Sequence, residues 1–115
     1  MHVTRLTDAK AYSAPLHSGV ASLRLQGMDA SACDFAWVGL SYYLPGAKAE
    51  MSASGQAKVY VMIDGELTVQ LADGPSYVLN RLDSCLIEAG ETREIRNETN
   101  GVATMLVMMP APPPG

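Results

Sequence analysis

Residues 45–65 decide the fold: Pro45-Gly46-Ala47-Lys48-Ala49-Glu50-Met51-Ser52-Ala53-Ser54-Gly55-Gln56-Ala57-Lys58-Val59-Tyr60-Val61-Met62-Ile63-Asp64-Gly65. One turn dipeptide opens this stretch and another closes it. Residues 58–63 read as a strand, with Val59, Val61 and Ile63 on one face and Lys58, Tyr60 and Met62 on the other. Both faces are largely apolar, so this strand is expected to be covered on both sides. After Asp64-Gly65, residues 66–71 alternate cleanly and put Leu67, Val69 and Leu71 on one face. Asp64-Gly65, Asp73-Gly74 and Asn100-Gly101 are each flanked by apolar or alternating runs, which is the strongest short-range hairpin signal.

Working outward, further strands are expected at residues 20–25, 35–44, 77–79, 85–87, 92–96 and 104–109. No stretch holds a 3.6-residue apolar period over three turns; residues 7–12 offer one short helical turn. Many short strands with closely spaced turns predict an all-β sandwich or barrel. The 115 residues suit one domain, 1–115, with an N-terminal strand and arm region over 1–30. Residues 110–115, Pro-Ala-Pro-Pro-Pro-Gly, are expected to form an extended tail outside the sheet.

Composition narrows the function classes. Apolar residues make up 48% and charged residues 17%, a globular balance. A net charge of −4 and only eight Lys and Arg, in no run, argue against nucleic acid or an anionic membrane as partner. No apolar run reaches transmembrane length, and His2, Arg5, Asp8 and Lys10 interrupt any signal-like stretch. The two cysteines, Cys33 and Cys85, form no CxxC pair. A reduced, cytoplasmic setting is therefore expected, with one disulfide left open.

Gly46, Ser52, Ser54, Lys58 and Gly65 are spaced G-x5-S-x-S-x3-K-x6-G, and Glu88, Gly90, Arg93 and Asn97 are spaced E-x-G-x2-R-x3-N. This register resembles the two motifs of the cupin superfamily, G-x5-H-x-H-x3-E-x6-G and G-x5-P-x-G-x2-H-x3-N. The likeness covers about residues 36–109 and is closest to small single-domain, RmlC-like cupins. Two framework positions depart from it: Leu82 replaces the second motif's first glycine and Glu88 its proline. The resemblance implies an antiparallel β-barrel (a double-stranded β-helix, or jelly roll) open at one end. It also implies that Ser52, Ser54, Lys58 and Arg93 occupy the family's metal-ligand positions and face the cavity. Strand alternation then places Tyr60 and Met62 inward with Lys58, and Ile95 on the face of Arg93.

Two hydroxyls, an ammonium and a guanidinium are a poor set for a transition metal, which needs imidazole, thiolate or carboxylate donors. His2 and His17 lie outside the motifs. No metal and no other cofactor is expected, and metal-dependent oxidoreductase chemistry is disfavoured. Lys58 and Arg93 in one pocket instead call for an anion: like charges about 4 Å apart at an effective dielectric of about 20 repel by about 4 kcal/mol. A small organic carboxylate would offset this, gripped by Arg93 in bidentate fashion and by the hydroxyls of Ser52 and Ser54. The bland alternatives are an ion pair from Glu50, Glu88, Glu91 or Glu94, or Lys58 reaching out of the barrel mouth.

Catalysis is a further step. A desolvated Lys58 beside Arg93 would serve as base or Schiff-base former in an isomerase, tautomerase or decarboxylase. Arg93 would hold the developing oxyanion, and Tyr60, or Tyr42 or Tyr43, would act as acid. For any single tyrosine, aromatic core with a satisfied hydroxyl is the readier explanation. Trp37 either walls the cavity or packs between sheets, with the first reading carried forward alongside Met62 as ligand-contacting. His17 reads as a surface or interface histidine. A non-catalytic binding or sensing domain with the same pocket is the alternative. The apolar outer face of residues 59–63 needs a cover, either residues 20–25 or a second copy, and a homodimer is expected.

Overall fold

The computed structural model describes residues 1–112. After a single 3-10 turn, Leu6–Asp8, its strands are β1 (Lys10–Tyr12), β2 (His17–Gln26), β3 (Ala36–Ser52), β4 (Lys58–Asp64), β5 (Leu67–Leu71), β6 (Ser76–Leu79), β7 (Ser84–Ile87), β8 (Arg93–Arg96) and β9 (Ala103–Pro110). The sheet runs β6-β5-β8-β3-β9-β4-β7, with β2 and then β1 added along β3. Every pairing is antiparallel. The sheet rolls into a nearly closed barrel.

β3 makes this possible by serving two partners in succession. Residues 36–43 pair with β9, from Ala36 opposite Pro110 to Tyr43 opposite Ala103. Residues 48–52 pair with β8, from Lys48 opposite Arg96 to Ser52 opposite Arg93. Between them Gly46 turns the strand with φ +81°, a conformation glycine adopts without side-chain strain. Asn97 holds the bend. Its backbone N–H donates to Ala47 O at 3.0 Å, and its carbonyl accepts from Gly46 N at 3.0 Å. Its Nδ2 donates to Tyr43 O at 2.9 Å and Gly101 O at 2.8 Å, while Oδ1 accepts from Thr99 N at 3.0 Å. Asn97 is only 2% exposed, so water can replace none of these bonds.

The core fills the barrel with Tyr43, Ala47, Ala49, Tyr60, Met62, Leu67, Val69, Leu79, Ile87, Ile95, Ala103 and Met105. Tyr60, Met62 and Ile95 face inward as alternation requires. Val59 and Val61 are half-buried, and Ile63 is exposed. The proposed cover by residues 20–25 does not form, because β2 hydrogen-bonds along β3 instead.

Only one of the three hairpin expectations survives. Asp73-Gly74 joins the paired strands β5 and β6. Asp64-Gly65 and Asn100-Gly101 instead cross between the halves of the barrel, since β4 pairs with β7 and β9, and β8 with β3 and β5. A tight turn with positive φ reverses the chain but does not dictate which strand the next segment joins. Residues 10–12, expected as helix, form β1; the helical turn lies just before it. Pro110 ends β9 rather than lying outside the sheet, opposite Ala36, and Ala111 N donates to Phe35 O at 3.2 Å. The rest of the expected tail, residues 113–115, lies outside the described residues.

Leu82 explains its own departure from the glycine of the motif. It keeps φ +69° while its side chain stays 65% exposed, and its N–H donates to Met62 O at 2.8 Å. The position retains the glycine conformation with a leucine in it, at a cost of about 1–2 kcal/mol. Leu82→Gly is expected to raise stability by roughly 0.5–1 kcal/mol, once the greater chain entropy of glycine is subtracted. Asn97→Ala is expected to lower it by about 2–4 kcal/mol by orphaning the buried Tyr43 carbonyl and removing the bonds to Gly101 and Thr99. Urea midpoints of the two variants, at unchanged m-value, check both signs.

Candidate functional site

A cavity of about 480 Å³ opens at one end of the barrel. Its wall is built by alternation: Trp37, Ser41 and Tyr43 from β3, Ser22 and Arg24 from β2, and Met105, Val107 and Met109 from β9. At its polar end stand Ser52, Ser54, Lys58, Tyr60 and Arg93. The four positions implied by the motif therefore converge. Trp37 lines the cavity. Met62 does not: it is fully buried against the core, opposite Met105 on β9.

Arg93 is the centre of the polar end and is 5% exposed. Its Nε donates to Tyr60 Oη at 3.0 Å, and its Nη1 to Ser52 Oγ at 3.1 Å and Glu50 O at 3.4 Å. All three acceptors are neutral, and none of these bonds uses Nη2. Among the described residues no carboxylate pairs with Arg93 or Lys58. The glutamates expected as partners are engaged elsewhere or exposed. Glu94 pairs with Lys48 and Arg96, Glu91 accepts from Glu88 N at 2.9 Å, and Glu50 and Glu88 are exposed.

Lys58 is half-buried at the start of β4. Burial first, and the Arg93 charge second, hold its pKa down to about 8. It thus stays mostly protonated at pH 7, short of the near-neutral base considered from sequence. Tyr60 is pushed up by burial, with Arg93 opposing, so it keeps its proton. Tyr43 is raised further by burial. Ser54 lines the cavity, but its Oγ already accepts from Gln56 N at 3.1 Å in a local turn.

This donor set does not fit the family's metal. Guanidinium and ammonium offer no lone pair to a cation, and the hydroxyls of Ser52 and Ser54 are already used as acceptors. Among the described residues, no three His, Cys, Asp or Glu side chains come together. Cys33 and Cys85 are both free thiols.

Several lining residues escaped the sequence reading. His17, expected at the surface, is half-buried at the cavity mouth, and its ring centroid lies 6.4 Å from that of Tyr43. Arg24 lies over both Tyr12 and Trp37, its Cζ 3.8 Å and 4.5 Å from the two ring centroids. Tyr12 meets Trp37 edge-on at 5.9 Å. Gly39 gives Tyr12 its place, since a Cβ there would run into the tyrosine hydroxyl. The period-2 pattern Trp37, Gly39, Ser41, Tyr43 was the available signal for this wall. Nothing in the sequence near His17 pointed inward.

The comparisons agree with this architecture. A model of the Cupin domain matches residues 39–109. A Mycobacterium tuberculosis protein named beta-D-galactosidase is 44% identical over 112 residues, covering 97% of this chain and 96% of that protein. Among solved structures, the polyketide cyclase RemF from Streptomyces resistomycificus superposes with a TM-score of 0.87 at 17% identity, covering 100% of this chain and 82% of that one. An RmlC-like cupin from Shewanella frigidimarina gives 0.79 at 15% identity, covering 97% and 92%. A sugar phosphate isomerase of the cupin superfamily from Silicibacter pomeroyi gives 0.79 at 23% identity, covering 95% and 75%. With the barrel, the motif register and a family model spanning more than half of its length, this chain belongs to the cupin family.

Proposed function

We propose that this cupin works without a metal and binds a small organic carboxylate in its barrel, with proton-transfer chemistry of the isomerase or tautomerase type on the bound acid. One observation carries the reading: Arg93 is buried, bonded only to neutral acceptors, and shares its pocket with an unpaired Lys58. A buried charge without a counter-ion is costly, and a carboxylate would supply the missing charge. Arg93 grips the anion, Ser52 and Lys58 complete the cradle, and the apolar β9 wall with Trp37 receives the body of the ligand. A cavity of this size suits a small molecule.

A second reading comes from the relative named beta-D-galactosidase, which spans nearly the whole chain. Glycoside hydrolysis ordinarily uses two carboxyl groups flanking the bond. Among the described residues, none that lines this cavity is Asp or Glu, so a galactoside here would have to rely on His17, Lys58 or Tyr60. The carboxylate reading uses the charges that are present and is preferred. The face around Val59, Val61 and Ile63 is the expected homodimer surface, and the mass in solution decides it.

Calorimetry with phenylpyruvate and with a neutral galactoside separates the readings. The carboxylate is expected to bind, and Arg93→Met to weaken it at least thirtyfold; binding or cleavage of the galactoside alone would overturn the preferred reading. Stoichiometric iron, nickel or zinc in the purified protein would overturn metal independence. Affinity for the carboxylate should fall as pH rises through about 8, where Lys58 loses its proton. Stability moves the other way. The folded chain binds fewer protons than the unfolded one between about pH 8 and 10.5, so Lys58 opposes folding at neutral pH and this opposition fades across that window. Lys58→Met is therefore expected to stabilise at pH 7 by on the order of 1 kcal/mol, discounted for partial exposure, and by little above pH 10.5.

A further inference from the structure

His17 has no role in either motif, yet the fold spends several constraints on placing it. Leu16, just before it, adopts φ +61°, a left-handed conformation that leucine takes only under compulsion. The Leu16 carbonyl accepts from Glu50 N at 2.9 Å, which ties this turn to the far end of β3. Gly19, at φ +69°, lets the strand pass close over Ala47, where a Cβ would sit 3.1 Å from the Ala47 Cβ. The result is an imidazole at the cavity mouth, opposite Ala49 in register and lining the same space as Lys58 and Arg93.

Its tautomer is set by one bond. Nδ1 lies 2.7 Å from the Pro15 carbonyl, which only accepts, so Nδ1 carries the proton and Nε2 carries the lone pair. Burial lowers the His17 pKa, the charges of Arg93 and Lys58 lower it further, and the Pro15 carbonyl opposes them. The charged and titratable groups lining the cavity with the ring are the cations Arg93, Lys58 and Arg24 and the tyrosines Tyr12, Tyr43 and Tyr60, with Tyr43 nearest among the rings; Glu50 is exposed, and its side chain is not part of the cavity wall. The imidazole is held neutral beside an anion site, with a free lone pair. Lys58, still protonated at pH 7, is better suited to anchoring charge.

We propose that His17 Nε2 is the proton-transferring base of this cavity, acting on the carbon next to the carbonyl of a 2-oxo carboxylate held by Arg93 and Lys58. The inference rests on the carboxylate reading above. In the step, the C–H proton moves to Nε2, and the C–H electron pair forms the carbon–carbon double bond. The carbonyl pair moves onto oxygen, giving an enolate and an imidazolium. Return of the proton to carbon or to the enolate oxygen completes exchange or tautomerisation, with no oxidant or second reactant. The bound carboxylate offsets the two cations, so it makes Nε2 more basic when there is a proton to take.

The test uses phenylpyruvate in D₂O, following exchange at its methylene by proton NMR and binding by calorimetry, with His17→Asn and His17→Gln checked for folding by their amide spectra. The expected result is exchange by the wild type above the buffer rate, lost at least 100-fold in both variants while affinity stays within about threefold. Lys58→Met should show the opposite split, with weaker binding. Exchange by the variants at the wild-type rate, or binding without exchange in the wild type, overturns the role of His17 and leaves the carboxylate site standing. Absence of binding overturns both. Nitrogen NMR of the wild type alone is a separate arm: His17 should show the Nδ1–H tautomer and a midpoint below 6.5 that rises with phenylpyruvate, and an Nε2–H tautomer overturns the proposal.

Discussion

The bend in β3, held by Asn97, is the constraint on which the rest of the structure depends. A single 17-residue strand can serve both halves of a barrel only if it turns midway without losing its hydrogen bonds. Gly46 supplies the turn, and Asn97 supplies bonds to Tyr43, Gly46 and Ala47 on both sides of it. The geometry downstream follows. β8 meets the far end of β3 so that Arg93 lies opposite Ser52, while β9 meets the near end and lays Met105, Val107 and Met109 along the cavity. The site is a consequence of the bend rather than a separate construction.

Within that frame, the site is governed by charge without a partner. The acidic residues of the chain outnumber the basic ones, twelve to eight, yet among the described residues the cavity lining carries cations and no carboxylate. Sheet alternation produces this segregation. On β8, Glu94 and Arg96 point outward, where Glu94 pairs with both Arg96 and Lys48, while Arg93 and Ile95 are buried. Arg93 is only one residue from a carboxylate in sequence and out of its reach in space. Alternation in this way leaves a buried guanidinium without a carboxylate partner among the described residues.

How much of this was legible before the fold is best seen residue by residue. Leu82 occupies a glycine position of the motif, and it retains the positive φ that glycine would have taken; the motif described the backbone correctly even where the side chain disagreed. The resemblance to the cupin motifs places Arg93, Ser52 and Lys58 together, and the strand period adds Tyr60, because a strand admits only two faces. Asp64-Gly65 and Asn100-Gly101 misled, since turn chemistry is local and strand pairing is not. Met62 misled more subtly: it shares the inward face with Tyr60, but lies farther along the strand, where the barrel is filled. Alternation gives the face, and only packing gives the depth.

The sequence by itself determined the class of the fold, the register of both motifs and the replacement of metal ligands by hydroxyls and cations. The class follows from short-range rules, the two-residue period of a strand and the φ a turn demands; the register and the ligand positions follow from the resemblance to the cupin motifs, and the replacement from the donor chemistry of each side chain. Tertiary structure alone decided that no glutamate reaches Arg93 among the described residues, that Arg24 lies over both Tyr12 and Trp37, and that His17 lines the cavity. Each of these depends on which strands become neighbours across the barrel. That choice is made by burial of the whole core and by the Asn97 bend, which no local pattern contains.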